Sequence, residues 1–232
     1  MRVLVIPDLH LPWVRKGLLD FCKDLRRKWK TKMTVFIGDV VDSHAISFHR
    51  KEPGCPGPLD EYKQAKKAIQ QWYKAFPKAI VTLGNHDKRV VRLAKSVQIP
   101  ELYLKSYKEI WDTPKWDWVE DIIIDDVFYY HGDGQGGEYP AANAVRKMLM
   151  SVVMGHIHTA SGVKYYTNPQ RRIFACDVGA GCDDRAMAFA YADRNKRRSV
   201  ISAAVVIDGI PYVEPCPIGR GEKYHDSRFK NT

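Results

Sequence analysis

The first 95 residues alternate short apolar runs with longer segments of helical periodicity. The apolar runs, which are typical of buried strands, lie at residues 3–6, 34–37 and 79–83. Helices are expected between and after them, with Asp60 as one N-cap, at residues 15–30, 60–73 and 88–95. Because strands joined by helical crossovers pair in parallel, this alternation predicts a parallel sheet with covering helices.

The second half of the chain has a different pattern. A hairpin is expected over residues 122–130 and a helix over residues 141–150. Further strands are expected at residues 151–154, 162–167, 172–178, 200–207 and 210–214. We expect these strands to form a second, mostly antiparallel sheet packed on the first. The predicted fold class is therefore α/β, with two packed mixed β-sheets flanked by helices, as one domain over residues 1–219 and a polar tail over residues 220–232.

The composition is that of an ordinary globular protein, with 45% hydrophobic and 28% charged residues. No apolar stretch approaches the roughly 20 residues that a membrane span needs, and the N-terminus does not have the pattern of a signal peptide. The five cysteines form no CxxC pair, which favours reduced thiols over disulfides or a zinc knuckle. We therefore expect a cytoplasmic protein with no membrane association.

The formal net charge of +10 favours polyanionic partners, of which nucleic acid is the commonest. Basic segments at residues 23–32, 63–67, 88–95 and 194–198 are candidates to follow a phosphate backbone. Solvated helix faces are the alternative interpretation, and a surface charge that serves solubility explains the total equally well. No helix-turn-helix, zinc finger or aromatic stacking signature indicates recognition of a particular base sequence.

Five short polar clusters each follow directly on a predicted strand. They are Asp8-Leu9-His10, Gly38-Asp39-Val40-Val41-Asp42, Gly84-Asn85-His86-Asp87, His131-Gly132-Asp133 and Gly155-His156-Ile157-His158. Each cluster alone has an ordinary explanation as a turn, a cap or a structural histidine. Five of the eight histidines lie in these clusters, however, and the carboxyl ends of parallel strands meet at one edge of a sheet. The set therefore predicts one shared site.

The residue types in these clusters suit a metal centre. Asp8 and His10 are two positions apart, as are His156 and His158, so each pair can point to one side of an extended backbone. The two oxygens of Asp39 are able to bridge two ions. Imidazole, carboxylate and amide ligands together suit manganese, iron, zinc or nickel better than calcium or magnesium, and we favour manganese.

In their order along residues 8 to 158, the motifs DxH, GDxxD, GNHD, H and GHxH resemble the calcineurin-like metallophosphoesterase superfamily. The resemblance implies an α/β/β/α sandwich that binds two divalent metal ions. It places one ion at Asp8, His10, Asp39 and His158. It places the other at Asp39, Asn85, His131 and His156. The reaction it implies is in-line attack on phosphorus by a hydroxide that bridges the two metals.

The resemblance also suggests roles for residues that do not bind metal. His86 would protonate the leaving oxygen, and Asp42 would orient His86, with a helix cap as the alternative role of Asp42. Arg89 and Arg92 follow the third cluster directly and are candidate substrate-binding residues. His44, just after the second cluster, is a third candidate, although a surface loop position explains it equally well.

Two departures in the motifs bear on the substrate. Protein Ser/Thr phosphatases of this superfamily carry GDxxDRG and GNHE, whereas this chain has Asp42-Ser43-His44 and ends the third cluster in Asp87. Its motifs are more similar to the phosphodiesterase and nuclease branches, including compact phage-type members. We therefore predict a phosphodiesterase or nuclease acting on DNA, RNA or nucleotides. A phosphomonoesterase for a small molecule or a protein, and a non-catalytic metal-bound scaffold, are the alternatives.

Overall fold

The computed structural model describes residues 1–48, 53–183 and 198–217. In chain order its strands are β1 (Arg2–Ile6), β2 (Met33–Phe36), β3 (Ala79–Thr82), β4 (Trp116–Val119), β5 (Asp121–Ile124), β6 (Val127–Tyr130), β7 (Ser151–Met154), β8 (Ser161–Thr167), β9 (Arg172–Val178), β10 (Ser202–Ile207) and β11 (Ile210–Pro215). Its α-helices are α1 (Leu18–Trp29), α2 (Pro58–Ala75), α3 (Arg89–Ser96), α4 (Tyr107–Trp111) and α5 (Pro140–Met148). Short 3-10 helices lie at His44–Ile46 and Glu101–Tyr103.

The first sheet has six strands in the order β11-β10-β1-β2-β3-β4. Strands β1 to β4 are parallel, and β10 pairs antiparallel with the other edge of β1. The three predicted strands and their covering helices are therefore confirmed, and β4 is an addition. The predicted N-cap at Asp60 is wrong, because α2 begins two residues earlier at Pro58. The fixed φ and missing N–H of proline suit the first helical position.

The second sheet has five strands in the order β5-β6-β7-β9-β8. Strands β6, β7 and β9 are parallel, while β5 and β8 pair antiparallel at the two edges. The expectation of a mostly antiparallel second sheet that includes residues 200–214 is thus wrong, since β10 and β11 belong to the first sheet. Both sheets are mixed, as the predicted fold class requires.

Three apolar layers hold the two sheets and their helices together. Between the sheets, β1 and β2 pack on β6, β7 and β9, with Val5 and Val153 fully buried. On the outer face of the first sheet, α1 and α2 bury Leu18 and Ile69 against Phe36. The alanine-rich face of α5 covers the outer face of the second sheet. This arrangement confirms the α/β/β/α sandwich.

Several sequence predictions concern regions outside this architecture. No helix in the three described ranges is long and apolar enough to cross a membrane. Each of the five cysteines is a free thiol. The predicted tail at residues 220–232 and most of the basic segment at residues 194–198 lie outside the described residues. The single domain over residues 1–219 stays a prediction.

Candidate metal centre

The seven predicted metal ligands lie together where strands of both sheets end. They are Asp8, His10, Asp39, Asn85, His131, His156 and His158. Backbone groups lock their loops: the His10 N–H donates to the Asp39 carbonyl oxygen (2.9 Å), and the Gly155 N–H donates to that of His131 (3.0 Å). The His156 N–H donates to Asp8 Oδ2 (2.8 Å), which ties the two sheets together at the centre. The structure thus brings all seven side chains into one cluster.

One group of donor atoms in the cluster comes from Asp8, His10 and His158. The Nε2 atoms of His10 and His158 lie 3.1 Å apart, and His158 Nε2 lies 3.4 Å from Asp8 Oδ2. His10 Nε2 is also 3.6 Å from Asp39 Oδ2. One ligand atom from each of Asp8, His10 and His158 lies within 4.8 Å of the other two. This spacing is compatible with one shared metal ion.

A second group lies on the other side of Asp39. His131 Nε2 is 3.2 Å from Asp39 Oδ2 and 3.2 Å from Asn85 Oδ1. His156 Nδ1 is 3.2 Å from the same His131 nitrogen. Asp39 Oδ2 therefore faces both groups, in the position that a bridging carboxylate would need.

Three of the ligand candidates are imidazoles whose Nδ1 atom contacts a neighbouring group on the side of the ring away from the centre. His131 Nδ1 donates to the Ile37 carbonyl oxygen (3.0 Å), and His158 Nδ1 lies 3.7 Å from Cys182 Sγ. His10 Nδ1 faces Asp42 Oδ2 at 3.5 Å. Each ring consequently turns Nε2 toward the centre. Partners of this kind fix the tautomer and orientation of metal-binding histidines in known sites.

The charge balance of the cluster favours a cation. Burial would raise the pKa of Asp39, but His131 and His86 outweigh it and hold that pKa well below its usual range. Burial would lower the pKa of His131, but the charges of Asp39 and Asp8 raise it to about 10. The buried Asp8 Oδ1 has no hydrogen-bond partner within the described residues. A buried carboxylate oxygen without a donor is costly unless a positive ion faces it, so the donor set fits divalent metal ions.

Two glycines give the carboxylates the room to enter the site. A Cβ atom added to Gly155 would lie 2.1 Å from Asp8 Oδ1 and 2.8 Å from Ile37 Cγ2. A Cβ atom added to Gly84 would lie 2.1 Å from Asp39 Oδ1. Both contacts are far below van der Waals distance, so only glycine allows the two acids their observed positions.

The backbone itself is unusual at three of the ligands. His10, Asp39 and His156 have φ values of 49°, 45° and 69°, in the left-handed region. Residues other than glycine adopt this region infrequently, and such positions concentrate at functional sites. The left-handed turn lets each loop change direction immediately after its strand.

His86 lies beside the metal ligands and is oriented by Asp42. Its Nδ1 donates to the Asp42 carbonyl oxygen (2.9 Å) and lies 3.2 Å from Asp42 Oδ1. Burial would raise the pKa of Asp42, but hydrogen bonds from His10 and His86 hold it well below its usual range. Asp42 therefore contacts both imidazoles from behind.

Arg89 completes this arrangement. Its Nη1 donates to the Asp42 carbonyl oxygen (2.7 Å), and its Nη2 lies 3.2 Å from His86 Nε2. The side chain is buried. Burial and the positive charge of Arg89 both lower the pKa of His86. The charges of Asp39 and Asp42 outweigh them, so that this pKa lies above its usual value. Arg89 thus occupies the nitrogen of His86 that faces the centre.

The model of the calcineurin-like phosphoesterase family matches residues 1–179, which include every residue of this cluster. The chain belongs to that family. Among curated proteins, none matches the chain.

The solved structures that are similar to this family member have low sequence identity to it. Vps29 from Chaetomium thermophilum is 12% identical with a TM-score of 0.48, covering 96% of this chain and 91% of that one. Yfce, a phosphoesterase from E. coli, is 14% identical with a TM-score of 0.44, covering 89% and 88%. The nuclease MPE from Pseudomonas putida is 13% identical with a TM-score of 0.41, covering 92% and 87%.

The other two candidate substrate-binding residues of this phosphoesterase-family chain lie in different surroundings. Arg92 is exposed on α3, with its guanidinium carbon 5.3 Å from the ring centroid of the exposed Phe48. His44 is buried, and its backbone N–H donates to the Glu61 carboxylate (2.7 Å). Their contact with substrate, like that of Arg89, stays a prediction.

Two residues that sequence reasoning did not single out support the site. Glu61, buried in α2, accepts hydrogen bonds from the backbone of His44 and of Ala45 (2.6 Å), and so fixes the turn after Asp42. Cys182 contacts His158. Neither carries a local sequence signal, because each meets its partner only in the folded chain.

Proposed function

We propose that this chain is a dinuclear-metal phosphodiesterase that acts on DNA, RNA or nucleotides. The observation that carries the proposal is the position of Asp39 between two groups of imidazoles. Its Oδ2 atom lies 3.6 Å from His10 Nε2 and 3.2 Å from His131 Nε2. A single carboxylate that faces two groups of imidazoles suits a centre in which two metal ions share one ligand.

The proposed ligands divide between two ions that share Asp39. One ion would be held by Asp8, His10 and His158, and the other by Asn85, His131 and His156. Divalent ions, when bound, would lower the pKa of water and stabilise charge on phosphoryl oxygens. We favour manganese, with iron, zinc or nickel as alternatives, because the ligands mix imidazole, carboxylate and amide donors.

The remaining side chains act on the substrate. Asp42 holds His86 through Nδ1. Once Arg89 moves its Nη2 atom away, the lone pair on Nε2 would take up a proton from water and then give that proton to the leaving oxygen. Arg89 would then donate to a phosphate oxygen, and Arg92 and His44 would contact parts of the substrate further from the reacting phosphorus.

Two features support a diester over a phosphoprotein. Ser43 and His44 stand where the protein phosphatases of the family have an Arg-Gly pair, whose arginine grips the phosphate. The net charge of +10 favours a polyanionic substrate, since basic surfaces attract nucleic acid through its phosphates.

A substrate panel with added Mn²⁺ tests the proposal. We expect bis-p-nitrophenyl phosphate to be hydrolysed faster than p-nitrophenyl phosphate, and single- or double-stranded DNA to be cleaved. Faster hydrolysis of the monoester would instead show a phosphomonoesterase. Hydrolysis of no substrate by a metal-loaded protein would show a binding scaffold.

Two variants test the site directly. Asp39→Asn combined with His156→Ala is expected to lose bound manganese, as measured by elemental analysis after gel filtration. Asp20→Asn, an exposed acid on α1, is the matched control and should keep the wild-type metal content.

His86→Ala should keep its metal but lose about 100-fold or more in kcat, the range found for general acids. Full diesterase activity in His86→Ala would contradict the acid role.

A further inference from the structure

A cavity of about 660 Å³ lies between the start of α5 and the start of β8. One wall is residues 137–139, which belong to the loop that leaves His131. The opposite wall begins at Thr159, the residue directly after His158. The Cα atoms of Thr159 and His158 are therefore about 3.8 Å apart. Both walls therefore continue from metal-ligand candidates. Asp177, near the end of β9, also lines the cavity, and β6, β7 and β9 run parallel, so the cavity includes residues from the end of the second sheet that leads to His131 and His156.

The rim of the cavity carries an aromatic ring next to a positive charge. Tyr139 lines the cavity and is 55% exposed, so part of its side chain is accessible to a ligand. Lys164 Nζ lies 5.1 Å from the centroid of the same ring. An exposed aromatic face binds a planar base by stacking, and an adjacent lysine attracts phosphate.

The floor of the cavity offers a carboxyl group. Asp177, near the end of β9, accepts a hydrogen bond from the Ala141 N–H at the start of α5 (3.1 Å). A carboxyl group has about four acceptor positions, so this bond, the one that the described residues supply, leaves capacity for a ligand. Burial raises the pKa of Asp177 to about 6, although the bond from Ala141 opposes the rise. Near neutral pH the group can accept hydrogen bonds from the N–H groups of a base.

The size and lining of the cavity point to one chemical class. The volume lies within the range of about 300–1,000 Å³ typical of small-ligand sites and exceeds what a phosphate group alone would fill. We propose that the cavity is a nucleoside-binding subsite, in which a base stacks on Tyr139 and bonds to Asp177 while its phosphate lies at the metal centre. This inference rests on the proposed phosphodiesterase function and names the part of the substrate beyond the phosphate.

Two substrates that share a leaving group test the subsite. Thymidine 5′-(p-nitrophenyl phosphate) carries a nucleoside, and bis-p-nitrophenyl phosphate does not. We expect Tyr139→Ala to lower kcat/KM for the nucleoside substrate about 10-fold, as loss of one stacking partner does, and to change the other less than about twofold. Asp177→Asn should act in the same direction, because the amide oxygen keeps the bond from Ala141 but the group gains N–H donors.

Tyr165→Ala is the matched control. Tyr165 is 46% exposed on the same strand as Lys164, but its ring packs beside Phe174 and under Arg172 instead of lining the cavity. This variant should leave the ratio of the two kcat/KM values unchanged. An equal loss on both substrates in Tyr139→Ala, or an equal change of the ratio in Tyr165→Ala, would overturn the subsite.

Calorimetric binding of thymidine 5′-monophosphate separates this inference from the proposed function. Binding that is weakened by Tyr139→Ala supports the subsite even in a protein that hydrolyses neither substrate, in which case only the proposed function fails. Hydrolysis of bis-p-nitrophenyl phosphate without nucleotide binding overturns the subsite alone. Competition by the mononucleotide and by a short oligothymidylate then tells whether free nucleotides or strand ends fit better.

Discussion

Arg89 Nη2 lies 3.2 Å from His86 Nε2 while Nη1 of the same guanidinium donates to the Asp42 carbonyl oxygen. Because a guanidinium has donors only, the imidazole nitrogen must be the acceptor in this contact. His86 therefore donates a hydrogen bond from Nδ1 to Asp42 and accepts one at Nε2 from Arg89. A substrate phosphate that attracts Arg89 would free the lone pair on Nε2, and Nε2 would then take up a proton from water and pass it to the leaving oxygen.

The first prediction concerns this double contact. Arg89→Lys should lower kcat/KM for bis-p-nitrophenyl phosphate about 10- to 100-fold, because a lysine ammonium cannot reach both partners in the fixed fork geometry of arginine. Manganese content should stay at the wild-type value. Lys95→Ala, an exposed change on the same helix, should leave the rate unchanged. A wild-type rate in Arg89→Lys would mean that a point charge suffices.

A second prediction follows from the close approach of Gly155 to Asp8. Gly155→Ala places a methyl group where Asp8 Oδ1 lies, so it should displace the carboxylate and weaken manganese binding. The overpacking should also reduce the free energy of unfolding by about 1–3 kcal/mol. Metal titration and urea denaturation measure the two effects. Gly136→Ala has no atom within 4 Å of the added Cβ and serves as the control; an equal loss there would argue against a local cause.

The third prediction concerns Cys182, whose Sγ atom lies 3.7 Å from His158 Nδ1. Cys182→Ala removes the group behind this ring and should weaken manganese affinity about 10-fold or more, the range seen when partners of metal ligands are lost. Cys182→Ser retains a polar hydrogen-bonding atom and should lose less. Cys216→Ser, directly after the edge strand β11, should bind manganese as the wild type does. Equal affinity of all four proteins would exclude an orienting role.

The fourth prediction is a pH dependence of stability at Asp177. Burial raises its pKa to about 6 in the folded chain, whereas an unfolded aspartate titrates near pH 3.9. Between these values the folded state binds more protons, so the contribution of Asp177 to stability is present below about pH 4 and is lost as the pH rises through about 6.

Asp177→Asn removes this penalty and should stabilise the chain at pH 7.5 by on the order of 2 kcal/mol, with no gain near pH 4. Urea denaturation at both pH values measures the difference. Asp121→Asn, an exposed change on β5, provides the baseline. A gain of the same size at both pH values would exclude the titration of Asp177 as its source.

Sequence patterns predicted β1, β2 and β3, which lead to the site, better than they predicted β4 or the position of β10 in the same sheet. Strands β1, β2 and β3 are short apolar runs, which periodicity detects directly. Strand β4, Trp-Asp-Trp-Val, alternates large and charged residues and has no such run. The position of β10 beside β1 depends on a pairing between residues about 200 positions apart, such as Val3 with Val206, and no local pattern encodes it.

The same division holds within the site. Its candidate ligands follow strands within short motifs, so their types and spacing were visible in the sequence. The contact of Arg89 with His86 depends on how α3 begins after the third cluster, and that of Glu61 with His44 on how α2 packs. Side-chain partners from separate elements are decided by tertiary packing, which the sequence pattern does not contain.

The antiparallel pairing of β10 with β1 has a consequence for any shortened form of the chain. The family match ends at residue 179, before β10 begins at Ser202. A fragment cut at that limit would expose the free edge of β1, whose residues Val3–Ile6 are all buried in the whole chain. An uncovered apolar edge strand is a template for pairing with another molecule. By pairing with β1, strand β10 thus prevents β1, the strand that leads to Asp8, from pairing with β1 of another molecule.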